Sequence, residues 1–489
     1  MVQKSIEKYK SMPIQIKASL WFLICSFLQR GISAITTPIF TRLLNSSEFG
    51  NYNVFNSWMS IVTCFVTLSI YGGVYAQGLV KNESSKREFT DAFLGLLSTM
   101  CIVWFVIYIV FRNVFNSFLH INTVEGVLMF VIIWSSGLSH LWNQEQRVKC
   151  DYKKLVIISI LWSVLSPVLS IILILISKDK VTARIIGVAV STLLCYGWVF
   201  LSHMKDWRNF YSMNIWKYAL QLSIPLIPHY LSGMILNSAD RIMIQRMVGE
   251  SQSGIYSLAY SVSLIMTVFN SSLLSTIEPW LYKKIKNNRV EDIHMVAYPC
   301  LATIAIVNIF LIILAPEVIR LFAPAEYYEA IWIIPPVAMS VFFMFTYSLF
   351  ATFEFYFEHT SYITIATGTG AVINLLLNYV FIKQFGYMAA GYTTLVCYMV
   401  YSGMHYYFMK KICKNELEGK HPYNTKIIIL IAGLFMIMSF LLMMTYKHTI
   451  IRYGLLLSFL VSAIICRDKI IKMFKFLIQA RNQSKKSND

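Results

Sequence analysis

Long apolar runs constrain this chain more than any other feature, because about 20 apolar residues in a helix cross the hydrocarbon of a bilayer. Such runs recur along all 489 residues, and only 13% of the residues are charged, against about 25% in a soluble globular protein. The pattern predicts fourteen membrane-spanning helices. They lie near residues 18–39, 52–74, 92–111, 124–142, 155–176, 183–203, 216–237, 254–275, 296–314, 330–353, 361–382, 387–409, 425–446 and 450–466.

The positions of Lys and Arg predict the orientation of these spans. Most of the 42 basic residues fall in alternate connectors, and connectors rich in Lys and Arg face the cytoplasm. Both termini are therefore predicted to be cytoplasmic. Because the positive charge is scattered among short connectors, the net charge of +18 does not indicate a nucleic-acid partner.

The sequence predicts neither a metal site nor a cofactor. Its nine cysteines occur singly, without the spacing of metal ligands or of a disulfide framework. It contains no GxxxxGK[ST] motif for binding the phosphates of a nucleotide. ATP hydrolysis by this chain is therefore not expected.

Two segments of the chain resemble each other. RLLNSSEFGNYNVFNS (42–57) aligns without gaps with RMVGESQSGIYSLAYS (246–261), and both follow the first span of a group of six. Six spans separate the copies, so both copies run in the same direction, as in a parallel repeat. The predicted fold is an all-α polytopic membrane protein with two parallel six-helix bundles, 1–205 and 206–412. Two extra helices and a basic cytoplasmic tail follow in 413–489.

Transporters of this build bind their substrate between the two halves, so charged residues within the spans are candidates for function. Arg30 lies in the middle of the first span, where a guanidinium group in hydrocarbon costs several kcal/mol or more. It either faces a water-filled cavity, where it can hold an anion, or is a structural arginine bonded within the protein.

The seventh span, LSIPLIPHYLSGMILNSADRIMIQRM, carries further candidates. Pro225 and Pro228 are predicted to bend its helix, and broken helices with polar groups indicate transport sites. His229, Asp240 and Arg241 are therefore candidate substrate-binding residues. Asp240 is also a candidate for ion coupling; alternatively, Asp240 and Arg241 mark the membrane interface.

The remaining candidates have competing structural interpretations. Arg42 and Arg246, the repeated pair, either ring the mouth of a cavity or are interfacial arginines. Asn374 and Asn378 share a helix face and either contact sugar or hydrogen-bond between helices.

Three glutamates are further candidates for ion coupling. Glu278 either binds an ion or pairs with Lys283 or Lys284. Glu354 and Glu358 are four residues apart, a spacing that places them on one helix face. They either carry protons or form a solvated cytoplasmic end.

Several stretches resemble Wzx-type polysaccharide flippases of the multidrug/oligosaccharidyl-lipid/polysaccharide exporter superfamily. These are PIFTRLLNSSEFGNYN, SIPLIPHYLSGMILNSADRIMI, IEPWLYKKI and INLLLNYVFIKQFGYMAAGYTTLVCY. The resemblance implies a multi-pass protein of the bacterial cytoplasmic membrane that moves undecaprenyl-pyrophosphate-linked oligosaccharides to the outer leaflet by alternating access. It also implies an H⁺ or Na⁺ coupling ion, contact with membrane lipid and with polysaccharide polymerase machinery, and a pyrophosphate-binding role for Arg30.

Two other classes of protein fit the sequence less well. An ion-coupled multidrug or cation antiporter of the same superfamily needs acidic residues deep in its spans, whereas Arg30 favours an anionic substrate. A membrane polysaccharide polymerase or ligase usually needs a long extracytoplasmic loop for its catalytic groups, and the predicted connectors are short. The chain is therefore predicted not to be an enzyme.

Overall fold

The computed structural model describes residues 12–82, 85–465 and 467. This part of the chain is helical throughout and contains no β-strand, which confirms the all-α prediction. Contacts divide the chain into two compact units, Met1–Ile242 and Met243–Asp489. The predicted limits 1–205, 206–412 and 413–489 stay predictions, and the predicted basic tail after residue 467 lies outside the described residues.

The first unit is built from antiparallel helices joined by short turns. Its helices are α1 (Ile14–Leu43), α2 (Ser46–Thr67), α3 (Val74–Lys81), α4 (Lys86–Val110), α5 (Arg112–Leu119), α6 (Thr123–Val148), α7 (Tyr152–Ile176), α8 (Lys180–His203), α9 (Met213–Ser223) and α10 (Ile227–Met247), the last of which ends inside the second unit. Short 3-10 segments follow α8 and α9.

The second unit continues the same pattern of long helices and short connectors. Its helices are α11 (Glu250–Leu264), α12 (Thr267–Lys286), α13 (His294–Ile313), α14 (Ala315–Phe322), α15 (Ile334–Tyr356), α16 (Thr360–Phe385), α17 (Ala389–Glu416), α18 (Thr425–Met444) and α19 (Thr449–Ile465).

A helix occupies the place of each of the fourteen predicted spans. Eleven helical segments of the described chain are long and apolar enough to cross a membrane. The other three are α2 and α17, which carry many polar residues, and α19, which has 17 residues. Large apolar side chains such as Ile35 and Ile429 are 70% and 65% exposed. An exterior of this kind suits lipid, so the protein is a multi-pass membrane protein.

Side chains close the first turns of two helices in the first unit. Asn45 accepts a hydrogen bond from the backbone N–H of Glu48, and the Glu48 carboxylate accepts one from the backbone N–H of Asn45. Asn122 and Glu125 make the same pair of bonds before α6. Each capping box satisfies two backbone donors that a helix start leaves open, so α2 and α6 begin at defined residues.

The seventh predicted span is broken where its prolines predict. α9 ends at Ser223, a 3-10 turn covers Ile224–Leu226, and α10 begins at Ile227.

The eighth predicted span, 254–275, is also broken, which the sequence did not indicate because this span contains no proline. Its two helices meet at residues 265–266, just after Ser263, whose hydroxyl donates to the carbonyl oxygen of Ala259. Hydroxyl groups bonded to the helix backbone favour such bends.

α7 and α8 approach each other closely through small residues. Ser159, Ser163, Ser166 and Ser170 are all buried on one side of α7. Gly187 on α8 lies so near that a Cβ atom there would come within 2.6 Å of the Ser170 backbone nitrogen and Cα atoms. Small residues allow membrane helices to pack at short range. Ser170 and Gly187 therefore bring α7 and α8 into close contact.

The second unit is packed around α15. Of the most apolar stretch of this helix, 83% is buried, the largest share among the described candidate spans. Phe342, Phe345 and Phe353 on α15 are fully buried. Tyr446 closes one end of the unit, because its hydroxyl donates to the carbonyl oxygen of Ile312 at 2.6 Å. The centre of this unit is a dense apolar core.

Replacing Gly187 by Ala should destabilise the protein, because the added methyl group would overlap the α7 backbone and overpacking costs about 1–3 kcal/mol. The apparent unfolding temperature of the purified protein in detergent should fall. Gly403 on α17 is the control, since nothing lies within 4 Å of a Cβ atom there. Gly403→Ala should leave the temperature unchanged or raise it; an unchanged temperature for Gly187→Ala would contradict the close packing.

Candidate functional site

Two polar cavities follow one another along α1 in the first unit. The first, which we call the Arg184 cavity, has a volume of about 280 Å³ and lies among α1, α7 and α8. The second, the Arg147 cavity, has a volume of about 220 Å³ and lies among α1, α6, α7 and α8. Gln29 and Trp162 line both cavities. The two cavities therefore adjoin, and we call them together the paired cavities.

Polar side chains line the junction between the two paired cavities. The Gln29 side-chain amide donates to the carbonyl oxygen of Ser159 at 3.4 Å, and the Trp162 indole N–H donates to Thr192 Oγ1 at 3.0 Å. Ser163 Oγ donates to the Ser159 carbonyl oxygen at 2.7 Å. Hydroxyl and amide groups on membrane helices can hydrogen-bond hydrated or sugar ligands. The junction is thus lined by neutral polar groups.

An arginine lies at one end of the paired cavities, held between two rings. The Arg184 guanidinium carbon is 3.8 Å from the Phe40 ring centroid and 3.6 Å from that of Tyr52. Arg184 lies in the first turns of α8. Cation–π contacts hold a guanidinium group in place while keeping its charge. Arg184 therefore presents a fixed positive charge to its cavity.

A second arginine marks the other end. Arg147 lies in the last turn of α6, and its guanidinium carbon is 5.0 Å from the Phe22 ring centroid. The same cavity is lined by His140, which stacks on Tyr71 at a centroid distance of 4.5 Å. From Phe22 to Phe40, α1 rises about 27 Å at 1.5 Å per residue. The path between the two arginines thus approaches the thickness of the bilayer hydrocarbon, about 30 Å.

Arg30 is adjacent in sequence to Gln29, the α1 residue that both cavities share. Its side chain is exposed in the structure and lines neither cavity. At 3.6 residues per turn, the polar residues in the middle of α1, between positions 26 and 37, fall within about 120° of the helix circumference; they are Ser26, Gln29, Arg30, Ser33, Thr36 and Thr37. Arg30 is therefore at the edge of the polar face of α1, and the exposed apolar residues Phe27 and Leu23 lie one and two turns before it on the same side of the helix.

The arrangement suits an anionic, hydrated ligand. Arginine makes bidentate, charge-assisted hydrogen bonds with phosphate and keeps its charge at any physiological pH. Serine, glutamine and tryptophan side chains between the arginines can exchange hydrogen bonds with hydroxyl groups. A third cavity, of about 300 Å³ and bounded by Trp58, Trp104 and Phe118, has an apolar and aromatic lining. It suits a hydrocarbon ligand rather than a sugar.

The other predicted site residues of the first unit are dispersed. Arg42 is exposed, and its guanidinium donates to the carbonyl oxygen of Pro38 at 2.8 Å. His229 is half-buried and lies 5.6 Å from Tyr230 between ring centroids. Asp240 is 1% exposed, which does not fit a solvated position at a membrane interface. Arg241 is half-buried and donates to the backbone of α10.

Two predicted residues of the second unit lie together. Asn378 Nδ2 donates to Asn374 Oδ1 at 3.1 Å on α16, and Thr393 on α17 donates to Asn378 Oδ1. Both asparagines are fully buried. The bond from Thr393 connects α16 to α17, as amides in membrane helices commonly do. Arg246, by contrast, is exposed at the end of α10.

Glu278, a candidate either for ion coupling or for pairing with Lys283 or Lys284, makes a hydrogen bond with a tyrosine. Glu278 Oε1 accepts a hydrogen bond from the Tyr282 hydroxyl at 3.0 Å. Lys284 Nζ lies 2.6 Å from Asp292 Oδ2 instead. Asp292 follows α12 in the chain and reaches back to its last turn, whereas Glu278 is oriented toward the tyrosine one turn along.

The predicted common face of Glu354 and Glu358 is also wrong. α15 ends at Tyr356, and Glu358 lies beyond it with a φ angle of 58°. Glu358 is exposed, but Glu354 is fully buried, so a solvated helix end does not describe Glu354. Instead Glu354 lies against His405 of α17, a residue that the sequence analysis did not select.

Arg147 and Arg184 were missed because each falls near the end of a span, where arginines commonly mark the membrane interface. A signal was nevertheless present. Ser159, Ser163, Ser166 and Ser170 repeat every three or four residues in an otherwise apolar span, the spacing of one helix face. A serine stripe on a membrane helix indicates a polar neighbour or a cavity.

Residues 16–285 match the family model described as polysaccharide biosynthesis protein. This segment covers more than half of the chain, so the protein belongs to that family. A curated relative, an uncharacterised membrane protein of Haemophilus influenzae, is 20% identical over 380 residues, which cover 74% of this chain and 88% of the relative. The resemblance to Wzx-type proteins is confirmed at the level of the family.

Solved structures show the same fold. One described as "Lipid II flippase MurJ, inward closed conformation" matches with a TM-score of 0.70 and 16% identity, over 92% of this chain and 99% of that chain. An inward-facing multidrug resistance MATE family transporter of the MOP superfamily matches with a TM-score of 0.62 and 15% identity, over 79% and 96%. The chain therefore shares the fold of these two membrane proteins.

The polar face of α1 should be accessible to water. We expect Ser33→Cys, which replaces a lining residue of the Arg184 cavity, to react with a charged maleimide in membrane vesicles. Ile35→Cys is the matched control, because Ile35 is 70% exposed on the apolar face of the same helix and lipid should shield it. Mass spectrometry of the labelled peptide measures both reactions. Equal labelling of the two variants would contradict a hydrated cavity.

Proposed function

We propose that this protein flips undecaprenyl-pyrophosphate-linked oligosaccharide repeat units from the inner to the outer leaflet of the bacterial cytoplasmic membrane. The exported units would feed polysaccharide biosynthesis, such as that of a capsule or an O-antigen. The family of polysaccharide biosynthesis proteins and the fold shared with flippases support this proposal. The observation that carries it is the polar path along α1 with an arginine at each end.

This path matches the chemistry of the head group. Carrying a pyrophosphate and several sugars through hydrocarbon requires removal of their water, at a cost of many kcal/mol. Arg147 and Arg184 offer charge to the pyrophosphate near the two ends of the path. Arg30, which lines neither cavity, offers charge beside the middle of the path, at the edge of the same helix face. Serine, glutamine and tryptophan groups between them can replace water around the sugars. The head group would thus remain solvated by protein while its tail stays in lipid.

Several arginines at successive depths in the membrane suit the transport of an anion better than a single high-affinity site does. A single site that bound pyrophosphate very tightly would also release it slowly, because affinity differences are expressed mainly in dissociation rates. Several weaker sites allow transfer from one guanidinium group to the next. Alternating access, in which the helical halves rock about the substrate, would then open the site to each leaflet in turn.

The driving force must come from outside this chain. An H⁺ or Na⁺ gradient, the membrane potential, or removal of the product by polysaccharide polymerase machinery could supply it. The membrane potential is worth about 2.3 kcal/mol per charge at 100 mV, and for an anionic head group an inside-negative potential favours export. Coupling to such a gradient requires a titratable or ion-binding group in addition to the arginines.

Arg30→Ala should strongly reduce export, because it removes charge-assisted hydrogen bonds worth about 1.5–3 kcal/mol each. In the native host, surface polysaccharide should fall by about tenfold or more, and lipid-linked repeat units should accumulate on the inner leaflet. Arg30→Lys should retain part of the activity, since it keeps the charge but loses the bidentate geometry. Arg320→Ala, an exposed arginine of α14, is the matched control. Normal export by Arg30→Ala would refute the role of Arg30.

A reconstituted assay separates this function from its rivals. Purified protein in vesicles should move undecaprenyl-pyrophosphate-linked glycan, extracted from the host with a radiolabelled sugar, to the opposite leaflet without forming new glycosidic bonds. New bonds would identify a polymerase or ligase. Export of organic cations without glycan movement would identify a cation antiporter.

A further inference from the structure

The second unit buries an acid and a base against each other. Glu354 Oε1 on α15 lies 2.7 Å from His405 Nδ1 on α17. The side chain of Glu354 is 0% exposed and that of His405 is 1% exposed. α15 is the most buried of the described candidate spans. The pair thus lies in a region where a change in net charge is expensive.

Each member of the pair also keeps a polar atom without a partner. Glu354 Oε2 and His405 Nε2 are buried and make no hydrogen bond within the described residues. Buried polar groups are nearly always hydrogen-bonded, and exceptions call for an explanation such as a functional role. Here the two open atoms are the two positions at which a carboxylate and an imidazole take up or release a proton.

Aromatic groups from the two helices surround the imidazole. The Tyr347 ring of α15 stacks on His405 at a centroid distance of 5.4 Å, and the Tyr401 ring of α17 meets it edge-on at 4.5 Å. The Tyr401 hydroxyl lies 3.2 Å from Thr367 Oγ1 of α16. Proton binding at the pair can therefore affect three helices at once.

Other titratable groups near the Glu354–His405 pair include histidine, glutamate and tyrosine side chains. His359, in the turn after α15, donates its backbone N–H to the Glu354 carbonyl oxygen at 2.9 Å. α12, which also packs on α15, contributes Glu278, bonded to Tyr282. The Tyr282 ring lies 5.7 Å from that of Tyr356 near the end of α15.

The number of protons bound to Glu354 and His405 determines the net charge of the pair, and hence whether an apolar core can enclose it. The protons are counted from an ionised carboxylate and a neutral imidazole. With one added proton, the pair has no net charge: either Glu354 is protonated, or Glu354 and His405 form an internal ion pair, and the Glu354–His405 hydrogen bond stabilises either form. A second proton, taken from water at Glu354 Oε2 or His405 Nε2, leaves a net positive charge. A net charge in an apolar core favours any conformation that admits water. Protonation and local separation of α15 from α17 are therefore thermodynamically linked.

We propose that Glu354 and His405 form a proton-binding site, and that uptake of one proton there shifts the second unit toward a state in which α15 and α17 locally separate. Its role in driving export rests on the function proposed above. The site would make the proton the coupling ion, with the carboxylate and imidazole as carriers.

Hydrogen–deuterium exchange of the purified full-length protein tests the site without any substrate. After correction for intrinsic rates, segments 349–357 and 401–409 should exchange faster at pH 6 than at pH 8, by up to about tenfold per pH unit, the limit for one linked proton. Glu354→Gln and His405→Gln should remove this pH dependence. Glu416→Gln, an exposed glutamate on the same helix as His405, should retain it. Absence of pH dependence in the unaltered protein would overturn the proposal even if a variant failed to fold.

Transport in vesicles then tests the coupling. With the labelled host glycan as probe, an imposed pH gradient should accelerate leaflet exchange by the unaltered protein and by Glu416→Gln, but not by Glu354→Gln. Acceleration of Glu354→Gln equal to that of the unaltered protein would overturn the coupling role while leaving the flippase function intact. Failure of every protein to move glycan, together with pH-dependent exchange, would refute the proposed function but support the proton site.

Discussion

The hydrocarbon of a bilayer offers no hydrogen-bond partner, and the rest of this structure depends on that constraint. Backbone groups must be satisfied within each segment, so the chain folds into helices. Side chains follow the same rule in many places: apolar groups such as Ile35 and Ile429 occupy the exterior, while the serines of α7, the asparagines of α16 and Glu354 are enclosed. Such an enclosed polar residue either bonds to a neighbouring helix or lines a hydrated space. The asparagines of α16 illustrate the first case and the paired cavities the second.

The two units use their enclosed polar groups differently. The first unit leaves space beside its serine-rich helix α7 and places Arg147 and Arg184 around it. The second unit fills its centre with aromatic side chains of α15 and keeps its polar groups in contact with one another, as in the Glu354–His405 pair. Open space with positive charge suits a bulky anion, whereas a filled centre with an acid and a base suits an ion as small as a proton.

Much of the architecture could be predicted from the sequence because apolar length and proline positions are local signals. The fourteen spans and the break at Pro225 and Pro228 belong to this class. The break after Ser263 could not be predicted, since the segment contains no proline and hydroxyl groups bond to their own helix in unbroken helices as well. The partner of Glu354 could not be predicted either, because His405 is 51 residues away in the chain. Arg30 was selected for its depth, whereas Arg184 is held in place by the rings of Phe40 and Tyr52, contacts that only the folded chain creates.

The contact of Gly187 with Ser170 has a consequence for the size of ligand that the first unit can admit. Because the two backbones touch, α7 and α8 cannot slide or spread apart without losing that contact. The two helices therefore move as one rigid body. The opposite wall is α1, a 30-residue helix whose one internal proline, Pro38, lies near its end. A tilt of α1 would widen the space between these walls without breaking the contact of Gly187 with Ser170. Ligands of different bulk could thus be accommodated by movement of one helix rather than by deformation of the whole unit.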